Sequence, residues 1–233
     1  MNDLTMGLST GQIAELADAR NIHPDLVTLF LSVPTGILKI WNEIITEEVN
    51  SHPNFRGNSL LLYPLNAILL ENGGLDKLGS FLSSGKLREA RKDQLKNAQL
   101  MESRHTHLKR NFPPSKIGKY IKLQADEFAK SMVIQWLSFE HRRFLKEMQE
   151  DISKFKIDVF KSIRLFGYVI FYKYYLGQRD PKKLSDFGDL GHLFYIPYCE
   201  LAVMERDLCN ILTQIRQNHD ILENTIVRNI DFL

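Results

Sequence analysis

One stretch near the C-terminus concentrates residues able to bind metal or move protons. It reads Asp186-Phe187-Gly188-Asp189-Leu190-Gly191-His192, then Leu193-Phe194-Tyr195-Ile196-Pro197-Tyr198-Cys199-Glu200, then Leu201–Met204 and Glu205-Arg206-Asp207. Asp186, Asp189 and His192 recur every third residue, which aligns them along one side of a short helix. Glu205 directly follows the apolar run Leu201–Met204. If that run is a strand, Glu205 stands at its C-terminal end, where ligands gather in open α/β sheets. Carboxylates converging there suit Mg²⁺ or Mn²⁺, which take oxygen ligands. Such ions activate water and stabilise charge in phosphodiester cleavage. The same residues also have a purely structural reading. Ser185 or Asp186 can cap a helix, Glu205 and Asp207 can open the last one, and His192, Tyr195 and Tyr198 can pack.

A second stretch is electrostatic. Residues 86–122 hold Lys86, Arg88, Arg91, Lys92, Lys96, Arg104, Lys109, Arg110, Lys116, Lys119 and Lys122 against Glu89, Asp93 and Glu102, a local charge of +8 in a chain of net +2. Such a stretch can hold phosphates or an acidic protein surface, or be a solvated helix followed by a polar linker. Lys86, Arg88, Arg91, Lys92, Arg104, Lys109 and Arg110 are the candidate nucleic-acid residues. Within this stretch His105 and His107 stand two apart, which does not place them on one helix face. Surface histidines are the plainer reading than a metal pair.

These residues must be positioned by a mainly α, helix-rich framework. Ser9 and Gln12 have capping-box spacing ahead of Ile13 and Leu16. Pro24 suits a first helical position. Ile37, Ile40, Trp41, Ile44, Ile45 and Val49 recur at helical spacing. Residues 60–63 form a short strand or a helix start. Helices are expected over residues 64–71 and 75–82, and residues 85–110 are polar and helical. Asn111-Phe112-Pro113-Pro114-Ser115 interrupts the chain and divides it into a helical N-terminal region, 1–111, and a C-terminal region, 112–233. A long helical stripe follows from Ile117 through Trp136 to Phe144 and Met148. Residues 165–172 are uncharged but span far less than the roughly 20 residues a bilayer needs, so they read as a buried helix. Residues 186–195 read as a short helix and Leu201–Met204 as a strand. Leu208, Ile211, Leu212, Ile215, Leu222 and Ile226 mark a terminal helix.

The run Asp186-x-x-Asp189-x-x-His192-x-x-Tyr195-x-Pro197-Tyr198-Cys199-Glu200, followed by an apolar strand and Glu205-Arg206, resembles the C-terminal part of PIN-like nuclease domains. The resemblance covers residues 186–206 and extends back toward Ser162. It implies a small PIN-like α/β element in the C-terminal half, with Mg²⁺ or Mn²⁺ held for RNA cleavage. It further implies Asp186, Asp189 and Glu205 as catalytic residues, and these with Glu200 as metal ligands. Many members are toxins or defence effectors. The apolar strand ending in Asp that opens such domains has no counterpart here, since residues 60–63 run into Pro64-Leu65-Asn66. Glu71 is the nearest match to a second acidic position.

Three functions follow as expectations. The first is a PIN-like metal-dependent ribonuclease, its basic stretch gripping RNA or single-stranded DNA. The second is a non-catalytic helical accessory subunit of a prokaryotic nucleic-acid-processing or antiphage defence complex, with a protein partner or oligomer. The third, a helix-turn-helix over residues 9–30, ranks last, because only Arg20 and His23 are basic there. Composition argues against wholesale disorder, with 44% hydrophobic and 25% charged residues. Cys199 and Cys209 lack framework spacing, and residues 1–11 lack the basic and apolar regions of a secretory signal. Both features point to a reducing, cytoplasmic setting without a membrane partner.

Overall fold

A computed structural model describes residues 5–9, 12–13, 15, 21, 23–54, 60–64, 85–111, 122–177 and 185–230, some by backbone alone. In chain order the elements are β1 (Met6–Leu8), α1 (His23–Ser32), β2 (Thr35–Leu38), α2 (Trp41–Ser51), β3 (Leu61–Pro64) and α3 (Gly85–Asn111). Then come α4 (Lys122–Glu140), α5 (Arg142–Glu150), α6 (Lys161–Ile170), a π-helical segment Phe171–Leu176, and α7 (Ser185–Gly188). Last are β4 (Leu201–Met204), α8 (Arg206–Asn218) and β5 (Ile226–Asn229). The protein is mainly α and helix-rich, with small sheets. The helices expected over residues 64–71 and 75–82, Glu71, and the interruption at residues 112–115 lie outside the described residues.

The chain resolves into two compact units. The first, Met1–Ile40 with Ser59–Leu100, contains a three-stranded sheet in the order β1-β2-β3. β2 pairs in parallel with β1 and antiparallel with β3. The helical spacing read from Ile37 starts too early. Thr35–Leu38 is a central strand buried at every position, and a strand buried on both faces lacks the alternation that would announce it. The capping box at Ser9 does form. Gln12 N–H donates to Ser9 Oγ at 3.2 Å, and Ser9 N–H donates to Gln12 Oε1 at 2.9 Å.

The second unit, Trp41–Asn58 with Met101–Leu233, is built on α6, buried from Ser162 to Ile170 with Arg164 included, as the uncharged run from Leu165 implies. α6 packs along α4, and Gly167 permits the approach, because a Cβ there would lie 2.9 Å from Ala129 Cα. Trp41, Trp136, Phe166 and Phe194 form an aromatic core, with the Phe166 and Phe194 rings stacked at 5.2 Å. From Lys122 on, where it is described, the long stripe is two helices, because the chain breaks at His141 (φ −133°) between α4 and α5.

Leu201–Met204 is a strand, as its sequence reads. It pairs in parallel with β5, and α8 makes the crossover that parallel pairing requires. The terminal helix is correspondingly shorter than expected. It stops at Asn218, His219 is extended, and Ile226 stands in β5. Leu222, read as helical, is buried in the intervening turn.

Candidate functional site

The acidic stretch adopts tight helical turns. α7 is followed by 3₁₀ segments Asp189–Phe194 and Ile196–Tyr198, the latter with Pro197 in its first positions. Three residues per turn eclipse the backbone positions of Asp189 and His192. Asp186 and His192 are half-buried, whereas Glu200 and Glu205 are exposed. The Asp189 side chain lies outside the described residues. Glu205 occupies the N-cap position of α8 but makes no side-chain capping bond there, so the capping role is not what its carboxylate performs. Glu200 and Glu205 bracket β4. Five extended steps of ~3.3 Å put their Cα atoms roughly 16 Å apart, too far for one Mg²⁺ with ligand bonds of about 2.1 Å. Among the described residues no three His, Cys, Asp or Glu side chains are grouped so as to hold a metal ion.

The Pro197-Tyr198 turn is anchored from a direction the sequence did not suggest. Glu48, on α2, is fully buried. It accepts from the Tyr198 hydroxyl and from Ser162 N–H at 2.8 Å. Ser162 Oγ donates onward to Phe194 O at 2.8 Å, and Thr225 Oγ1 donates to Ile196 O at 3.1 Å. Burial pushes the Glu48 carboxyl up to about 7, although Tyr198 and Ser162 work in the other direction. Its Oε2 has no hydrogen-bond partner. Tyr198 is pushed above the usual phenol range by burial and by the neighbouring carboxylate. The sequence did carry a signal for Glu48. It follows Ile44 and Ile45 at helical spacing, so an acid sits on the apolar face of α2.

A second network joins four elements. His219 Nδ1 lies 2.7 Å from Asp126 Oδ1, which also accepts from the Tyr168 hydroxyl at 2.6 Å. Tyr172 Oη stands 3.1 Å from His219 Nε2, and the His219 ring stacks on Tyr168 at 4.2 Å. Burial lowers the His219 pKa below its ordinary value, with Asp126 opposing. The neutral imidazole then donates from Nδ1 to Asp126 and accepts from Tyr172 at Nε2. The ring is satisfied on both sides, as expected of a histidine that ties α4, the π-helical segment and the end of α8 together.

All seven candidate nucleic-acid residues fall on one helix, α3. Lys86, Arg88, Arg91 and Lys92 lie in its Gly85–Leu100 part; Arg104, Lys109 and Arg110 lie beyond it. Lys92 and Lys96 are exposed one turn apart, while Ala98 is buried. The side chains of Lys86, Arg88, Arg91 and Arg104 are outside the described residues. The surface reading of the histidine pair holds for His107 and fails for His105. His105 is 6% exposed, packs against Tyr174 and Phe187, and neither ring nitrogen has a hydrogen-bond partner. Burial lowers its pKa to about 4.

Cys199 and Cys209 are free thiols. Among the described residues no helix is long and apolar enough to cross a membrane. No protein-family model, curated protein or solved structure matches the chain.

Proposed function

We propose that the chain is a helical accessory subunit that holds RNA or single-stranded DNA by its phosphates, using the Gly85–Leu100 part of α3. The observation that carries this reading is the placing of Lys86, Arg88, Arg91, Lys92 and Lys96 in that one stretch of helix. A helical stretch of that length runs about 24 Å, and cations spaced along it meet successive phosphates without reading sequence. Lys92 and Lys96 extend into solvent from positions one turn apart. The test is a gel-shift titration of the full chain with labelled RNA and single-stranded DNA of equal length. Reversing both charges, Lys92→Glu with Lys96→Glu, should weaken binding at least about tenfold, the scale of losing charge-assisted contacts. Unchanged affinity would remove α3 from the account.

A nuclease of PIN-like kind is the second reading. It is favoured by one feature, Glu205 at the C-terminal end of a strand in a parallel pair. In that role Asp186, Asp189 and Glu205 hold Mg²⁺ or Mn²⁺, with Glu200 at the other end of β4 serving a different ion or none. Incubation of the protein with RNA and Mn²⁺, beside chelator and the Asp189→Ala and Glu205→Ala variants, separates the readings. Metal-dependent cleavage lost in both variants supports the nuclease. Cleavage that survives in both assigns it to something else.

A further inference from the structure

An open groove of about 950 Å³ lies in the second unit, between the end of α2 and the start of α5. We infer that this groove binds a nucleoside phosphate, its base against the His52–Phe144 wall and its phosphate at the cationic end of α5. The inference stands independently of the reading of α3.

The anionic half of the ligand is indicated by the charge pattern. Arg142 and Arg143 occupy the first turn of α5, which contains no acid, and the N-cap residue His141 makes no side-chain capping bond. The first amides of a helix have no intrahelical acceptor, and the helix dipole is positive at that end. Arg142 Nε donates to Ser138 O at 3.0 Å, and the two guanidinium groups add to a helix end that already favours an anion. Lys154 and Lys156 join from the segment after α5, so four cations line the groove with Glu140 and Glu147 among the described residues; Lys154 is paired with Asp151 Oδ2 at 2.9 Å. Glu147 is engaged by Arg143 Nε at 3.1 Å. His141 also lines the groove, and its Nε2 is buried with no hydrogen-bond partner.

The planar half is indicated by the rings. His52 stacks on Phe155 and Phe160 at 5.8 and 5.7 Å and meets Phe144 edge-on at 5.2 Å. Lys156 N–H donates to His52 Nε2 at 2.8 Å. That bond fixes the tautomer, so the neutral ring carries its proton on Nδ1. Val49 and Met148 add apolar surface. Of these rings His52 and Phe144 line the groove, with Phe155 and Phe160 packed on His52, and aromatic surface beside positive charge matches a base joined to a phosphate. An acidic peptide would leave the wall unused. The groove volume, within the range of small-ligand sites, accepts either a free nucleotide or the phosphorylated end of a strand.

Calorimetric titration of the full chain with AMP, ATP, adenosine, ribose 5-phosphate and a tetranucleotide RNA with and without a 5′-phosphate tests this. AMP or the 5′-phosphorylated RNA should bind at least about tenfold more tightly than adenosine, ribose 5-phosphate or the unphosphorylated RNA. Arg143→Glu and Lys156→Glu, both at exposed positions that leave the core intact, should weaken that binding by about tenfold or more. Binding of AMP and ATP identifies a free-nucleotide site, and binding of the 5′-phosphorylated RNA alone identifies a strand end. The Lys92→Glu/Lys96→Glu variant should keep the parent's preference for AMP over adenosine, or for the 5′-phosphorylated over the unphosphorylated tetranucleotide, a ratio in which any contribution of α3 cancels. No saturable binding of any probe below about 1 mM, or binding that neither groove variant changes, would overturn the inference.

Discussion

Glu48 is the residue whose chemistry most depends on its surroundings. The unfolded chain releases the Glu48 proton near the ordinary value of 4.5, while the folded chain keeps it to about pH 7. Between those values the folded state binds more protons than the unfolded one. Its contribution to stability therefore falls as pH rises from 4.5 to 7 and levels off above 7, by about 3 kcal/mol in all. Glu48→Gln should remove that component when denaturant unfolding is compared at pH 5 and 8. A variant with the parent's pH dependence would show that the carboxyl does not hold its proton. His105 has the opposite sign. Its folded pKa is depressed to about 4 from 6.5, so its contribution is complete above 6.5 and lost as pH falls toward 4. His105→Phe keeps the ring contacts with Tyr174 and Phe187 and removes two buried nitrogens without partners. The expected result is a melting temperature at pH 7 no lower than the parent's, and a smaller loss between pH 6.5 and 4. A lower melting temperature at both pH values would mean that the imidazole contributes a contact that Phe cannot supply.

Elements differ in how plainly their sequences announce them. The uncharged run in α6 reads as a buried helix and is one, and Leu201–Met204 reads as a strand and is one. β2 and β5 are hidden for different reasons. β2 is buried throughout, so it lacks alternation, and its Ile37 extends the period of α2 by chance. β5 offers Ile226 in step with α8, but the chain leaves the helix at the extended His219 and turns through residues 220–225 before β5 begins. The break at His141 has no proline or glycine to mark it. In the acidic stretch the spacing is legible, but its partner Glu48 is not, because it lies 150 residues before Tyr198. The close approach of α4 and α6 is likewise set by one position. Gly167→Ala places a Cβ against backbone at Ala129, where no flexible side chain can give way. It should cost about 1–3 kcal/mol in denaturant unfolding. A neutral result would mean that the helices separate freely.

The whole molecule carries a net charge of only +2, yet residues 86–122 hold +8 and the remainder sums to −6. That segregation, and not the total, motivates a nucleic-acid role. Folding collects the candidate cations into α3 and puts Lys92 and Lys96 in solvent, while the acids of the C-terminal stretch divide between the two ends of β4. The most direct test is the salt dependence of RNA affinity, measured by fluorescence anisotropy for the parent and for Lys92→Gln with Lys96→Gln. If the two lysines each neutralise one phosphate of a single strand, the slope of log affinity against log salt should fall by about 1.4 in the variant. An identical slope in both proteins, or no RNA binding at low salt, would contradict the account.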